Sequence, residues 1–216
     1  MASLLSLFLG TNLLAYTALG SGLPHVYSFF LLCLLLYLTP AWYADPSRRN
    51  TLFLGLTAGL IPLVRNPNAA FLLFLPLYGI TDWESLKRRV GYLWLEKNKV
   101  FLLLAVVVLV FSPQMIIWKI ASNHFLVKTY WYDFERFYFF SPQIFKVLFS
   151  PHHGLFIWSP ILIFSVFGFW KMKGPLKAYR YPILICLLLH LYIVSSWYLW
   201  WYAWSFGHRA FVDALV

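Results

Sequence analysis

The chain has 216 residues, of which 62% are hydrophobic and only 11% charged, with a formal net charge of +10. A soluble domain of this length has no core large enough to hide that much apolar surface, so the composition calls for a membrane. The basic excess falls in short clusters between apolar runs, not along a soluble basic module, which argues against nucleic acid as the partner.

A helix needs roughly 20 residues to cross a hydrocarbon layer of about 30 Å. Apolar runs predict an all-α, polytopic transmembrane bundle, one domain over residues 1–216, with about seven segments: 2–20, 25–42, 51–64, 68–81, 100–120, 155–170 and 181–201. The first twenty residues lack the basic start of a signal peptide and lead directly into further apolar segments. The third and fourth segments are short and flank Arg65-Asn66-Pro67-Asn68, which reads as a hairpin. Residues 82–99 mix bases with apolar side chains and predict an amphipathic surface helix. Residues 121–153 form one long outer loop, whose aromatic stretch 130–140 is placed in the membrane interface. Cys33 and Cys186 sit deep in apolar runs and read as small fillers.

Charge orients the chain. With the hairpin at 65–68, 11 of the 17 basic residues fall in three loops on one side: Arg48 and Arg49, then Lys87, Arg88, Arg89, Lys97 and Lys99, then Lys171, Lys173, Lys177 and Arg180. The positive-inside rule makes that side cytoplasmic. The polar residues with chemical potential then gather on the opposite, outer side. They are His25, Arg65, Asn66, His152, His153, Trp204, Ser205, His208 and Arg209. Each alone also fits a helix-end anchor or a snorkelling base. Three outer carboxylates accompany them, Asp133, Glu135 and Asp213. The seventh segment adds His190, Trp197, Trp201, Trp204 and His208 at spacings that share one helix face. An aromatic belt explains the tryptophans equally well, and His190 fits a bonded core histidine or a functional one. No nucleophile elbow, zinc-binding helix, phosphate loop or Cys-x-x-Cys is present. No cofactor is expected, and a divalent metal is left open.

Four stretches carry a family resemblance: PHVYSFFLLCLLLYL at 24–38, GLTAGLIPLVRNPNAAFLLFLPL at 55–77, SPHHGLFIWSP at 150–160 and WYAWSFGHRAF at 201–211. In this order they resemble bacterial membrane glycosyltransferases of the GT-C class. The resemblance implies transfer of a sugar from a polyprenyl-phosphate carrier at the outer face of the bacterial inner membrane. Arg65, Arg209 and the histidines would hold the carrier phosphate, Trp204 would stack on the sugar, and apolar helices would bed the lipid tail.

The family places its catalytic acid in the first outer loop, whereas Gly20 to Pro24 holds none. The chain is therefore expected to be an internal or truncated portion, inactive alone, with the remainder of the enzyme or an assembly protein as its partner. The alternative is a non-enzymatic subunit that binds the lipid carrier. A transporter would show paired mid-membrane charges and an internal repeat, and the sequence offers neither.

Overall fold

The computed structural model describes residues 2–20, 22–127, 135–203 and 205–216. These are helical apart from loops and one isolated antiparallel bridge between Phe137 and Trp197. The helices are α1 (Ala2–Gly10), α2 (Leu13–Ala18), α3 (Pro24–Ala44), α4 (Arg48–Val64), α5 (Phe74–Leu77), α6 (Trp83–Leu95), α7 (Lys97–Ser122), α8 (Ile144–Phe149), α9 (Leu155–Trp158), α10 (Leu162–Lys171) and α11 (Lys177–Ser196). Stretches of 3₁₀ helix cover Asn66–Leu73, Gly174–Leu176 and Arg209–Ala214. Among the described residues, three helical stretches are long and apolar enough to cross a membrane: Pro24–Ala44, Lys97–Ser122 and Gly174–Ser196. The chain is thus an all-helical, membrane-type protein. Of the about seven segments expected from the apolar runs, two of them short, these three reach full length among the described residues, and the others are shorter helical pieces.

Each shorter piece has a local cause. The first run breaks at Gly10–Asn12, where the Thr11 hydroxyl bonds Leu7 O behind it and accepts Leu13 N ahead of it. Run 155–170 breaks at Ser159-Pro160, since proline cannot donate the next helical hydrogen bond. The last run stops being helical at Ser196. There the Ser195 and Ser196 hydroxyls both donate to Tyr192 O, and the backbone turns to pair with residues 136–143. The tryptophan stripe therefore does not share a helix face. His190 lies on α11, while Trp197, Trp201 and His208 follow in irregular chain.

The order of packing follows from small residues. Gly55 and Gly59, one turn apart on α4, let its backbone press against α7. A Cβ on Gly55 would stand 3.0 Å from Val106, and one on Gly59 would stand 2.7 Å from Val110. Since both positions advance together along both helices, α4 and α7 run parallel. α3 runs the other way: Trp42 near its end donates to Thr51 Oγ1 near the start of α4, while His25 and Arg65 meet at the opposite end.

The chain between α4 and α6 must therefore return the full length of the bundle. It does so largely as 3₁₀ helix, which rises roughly 2.0 Å per residue against 1.5 Å for α. Residues 66–77 reach back this way to Tyr43 Oη, which donates to Leu75 O, and to Ala178 O, which accepts Gly79 N. At that end the starts of α4, α7 and α11 bring together Arg48, Arg49, Lys97, Lys99, Lys177 and Arg180. α6 lies there too, capped by Asp82, with Trp83, Val90, Trp94 and Leu95 exposed as an interfacial helix requires. The opposite end, where α3 begins and α4 and α11 finish, carries the candidate site.

Candidate functional site

Asp213 is the centre of the site. The 3₁₀ segment Arg209–Ala214 inserts between α3 and α11, and its Asp213 carboxylate is fully buried. Such a charge persists only with a counter-charge and full hydrogen bonding. Both are supplied. Arg65, at the end of α4, donates to Oδ2. Asn68 Nδ2, from the first 3₁₀ turn, donates to the same oxygen at 2.8 Å. His25 Nδ1, at the start of α3, meets Oδ1 at 2.8 Å. Three separate elements thus converge on one carboxylate, and the opposite charges of Arg65 and Asp213 balance.

The geometry assigns the histidine tautomers. Nδ1 of His25 also lies 3.2 Å from an Arg65 nitrogen, which offers only hydrogens. With the carboxylate as the sole acceptor on this side, Nδ1 carries the proton and donates to Asp213. Nε2, which makes no hydrogen bond among the described residues, then keeps a lone pair. This is an oriented base: the carboxylate fixes the ring and would stabilise the imidazolium formed by proton uptake. His190 and His208 are spent differently. Both are buried and donate through Nε2 to backbone carbonyls, Ala210 O and Trp200 O, each at 3.0 Å.

Near this cluster stands Arg209. Its guanidinium lies 5.6 Å from the centre of the Tyr202 ring and forms no ion pair among the described residues. It is within electrostatic reach of Tyr16, His25 and His153. Tyr16 Oη accepts Phe206 N at 3.2 Å, and Asn12 Nδ2 reaches Phe206 O at 3.4 Å, tying the 205–208 loop to the break between α1 and α2. Gly207 takes φ +61° with the Trp158 side chain 3.1 Å from where a Cβ would stand, so only glycine suits this position.

The Ser-Pro-His-His-Gly stretch is a tight reversal between α8 and α9. Gly154 N donates to Ser150 O at 2.7 Å, and a Cβ on Gly154 would collide with the Ser150 backbone at 2.5 Å. The reversal leaves His152 exposed and His153 half-buried, their rings 4.5 Å apart, with His152 also facing Trp201. Burial, together with the neighbouring His152 charge, lowers the His153 pKa. No group of three or more His, Cys, Asp or Glu among the described residues is placed to hold a metal ion.

Of the residues expected at the outer face, His25, Arg65 and Arg209 are brought together, with His153 beside them. Arg65 differs from expectation in one respect: its charge is engaged by Asp213, whereas Arg209 has no ion pair among the described residues. His208 is buried in a backbone contact. Asn66 is exposed, and its neighbour-but-one Asn68 fills the role at the carboxylate. Trp204, Asp133 and residues 130–134 of the aromatic stretch lie outside the described residues. Asp213 was the missed centre, and its signal was legible: one carboxylate within the apolar run Phe211–Val216. No protein-family model, no curated protein and no solved structure matches this chain.

Proposed function

We propose that the chain handles a polyprenyl-phosphate-linked sugar at the end of the bundle opposite its basic loops, as the membrane part of a glycosyltransferase. The observation that carries the reading is Arg209, a guanidinium with no ion pair among the described residues, within electrostatic reach of the buried, charge-balanced cluster. A planar guanidinium grips two phosphate oxygens at once. The apolar flanks of the helices suit the lipid tail, and the positive-inside rule supports an orientation with this end outside the cytoplasm.

In this reading His25 supplies the proton acceptor that the first outer loop lacks. An acceptor hydroxyl gives its proton to His25 Nε2 while its oxygen bonds to the anomeric carbon of the sugar. The bond from that carbon to the phosphate oxygen breaks, and the electron pair leaves with the polyprenyl phosphate, held by Arg209. Asp213 acts through His25, as a positioning residue.

The test is release of polyprenyl phosphate from a labelled polyprenyl-phosphate hexose by membranes containing the chain. Loss of a general base lowers rate by about 10²–10⁴-fold. His25→Gln should therefore reduce kcat by at least about a hundredfold with little change in KM. Binding of the donor without turnover in the unmodified chain would overturn transfer and leave the carrier-binding subunit as the reading.

A further inference from the structure

A cavity opens at the same end of the bundle, walled in part by Trp197, Tyr198 and Trp200. It measures about 330 Å³ and is lined by Tyr138, Ser141, Gln143, Lys146, Ser195, Ser196, Trp197, Tyr198 and Trp200. Small-molecule sites run from roughly 300 to 1,000 Å³, so a single sugar-sized group fits its scale. The walls are fixed by the backbone. Tyr138 N donates to Ser196 O at 2.6 Å, Gln143 N to Ser195 O at 2.8 Å and Tyr198 N to Arg136 O at 3.1 Å.

The polar groups in this cavity both accept and donate, as those of a sugar-binding site must, with Lys146 Nζ among the donors. The Ser195 and Ser196 hydroxyls are buried and donate to Tyr192 O, so these residues close the wall and leave the ligand contacts to their neighbours. Gln143 spends an amide hydrogen on Ser141 O, which leaves its carbonyl oxygen to accept. A ligand matching it brings hydroxyl donors. The cavity also presents aromatic faces, and Lys146 Nζ sits 5.7 Å from the Trp200 ring centre with no carboxylate paired to it among the described residues. Hydroxyl donors, an apolar ring face and one negative charge together describe an acidic sugar.

We infer that this cavity binds a saccharide bearing an acidic group, which in the proposed reaction is the acceptor. Trp200 lines the cavity while Trp201, packed against it with ring centres 5.3 Å apart, touches His152. The Trp200 carbonyl also holds His208, next in sequence to Arg209. A sugar seated against Trp200 is therefore one loop away from the carrier phosphate site. The role as acceptor rests on the proposed function; the cavity's chemistry stands without it.

The experiment uses the purified full chain in detergent, with methyl glucuronide and methyl glucoside as probes and saturation-transfer NMR with titration as the readout. The glucuronide should bind more tightly than the glucoside. Lys146→Gln should weaken the glucuronide by about tenfold, the loss expected for one charge-assisted hydrogen bond, and leave the glucoside unchanged. Gln143→Ala should weaken both. Absence of binding by either sugar, or glucuronide binding indifferent to Lys146→Gln, would overturn the site. So would displacement of neither sugar but occupancy by short-chain phosphatidylglycerol alone, which would make it a lipid headgroup pocket. Lys146→Gln should leave polyprenyl phosphate binding intact. Loss of carrier binding in the unmodified chain, with glucuronide binding retained, would refute the proposed function and spare this one.

Discussion

Nδ1 of His25 and Oδ1 of Asp213 lie 2.8 Å apart although 188 residues separate them in the chain. The contact closes the fold, since it fastens the last 3₁₀ segment to the first long helix. It also sets the chemistry, because the carboxylate decides which imidazole nitrogen stays free. Stability and site geometry therefore share the same atoms.

Removing one partner of a buried pair costs about 3–5 kcal/mol, because the other charge is left uncompensated. The two deletions should not be equal. Asp213 is sealed from solvent, whereas the Arg65 side chain retains 12% exposure and can lean towards water. Arg65→Met should therefore destabilise the chain more than Asp213→Asn in thermal unfolding in detergent. The double variant should recover part of the loss, and strict additivity would show that the pair does not couple.

The close approach of α4 and α7 makes a second prediction. Gly59→Ala forces a Cβ to within 2.7 Å of Val110 Cβ, a branched atom that cannot swing away. Overpacking of this kind costs about 1–3 kcal/mol. Gly91→Ala on α6 meets nothing within 4 Å and should be neutral or stabilising by up to about 1 kcal/mol. Equal melting temperatures for the two variants would contradict the parallel packing described.

Much of this was legible in the sequence. The membrane class followed from composition, and the break at Arg65 followed from a charged tetrapeptide with a proline between short apolar runs. The grouping of His25, Arg65 and Arg209 followed from charge-based topology. What the sequence concealed is tertiary. Whether residues 66–77 cross as α or 3₁₀ helix depends on the distance to be covered, and no propensity encodes that. The helix ending at Ser196 was hidden because its backbone partners lie in residues 136–143. Asn68 in place of Asn66 is a question of rotation about the chain, decided by where Asp213 arrives.

Burial holds His208 at a pKa of about 3, against 6.5 for an exposed histidine. The folded pKa is depressed, so the unfolded chain takes up more protons between these values. The contribution is present in full above pH 6.5 and is lost as pH falls from there towards 3. The apparent Tm should drop over that window. His208→Gln, which can still donate to Trp200 O, should flatten the dependence, and an unchanged slope would mean other groups govern acid unfolding.

Orientation is checked with single cysteines in a chain whose Cys33 and Cys186 have been replaced. Phe140→Cys should react with an impermeant thiol reagent in intact cells, and Lys173→Cys should react only after permeabilisation. Both positions are exposed, so access is not limited by burial. The reverse pattern would put the Arg209 site in the cytoplasm.

Arg209, and not the ion-paired Arg65 or the bases of the opposite end, is proposed to anchor the carrier phosphate. Binding of a polyprenyl phosphate to the purified chain in detergent tests this most directly. A charge-assisted contact of about 1.5–3 kcal/mol corresponds to roughly a tenfold to hundredfold change in affinity. Arg209→Ala should weaken binding by that factor, while Arg88→Ala on α6 should leave it unchanged. Equal affinity for Arg209→Ala, Arg88→Ala and the unmodified chain would contradict the account.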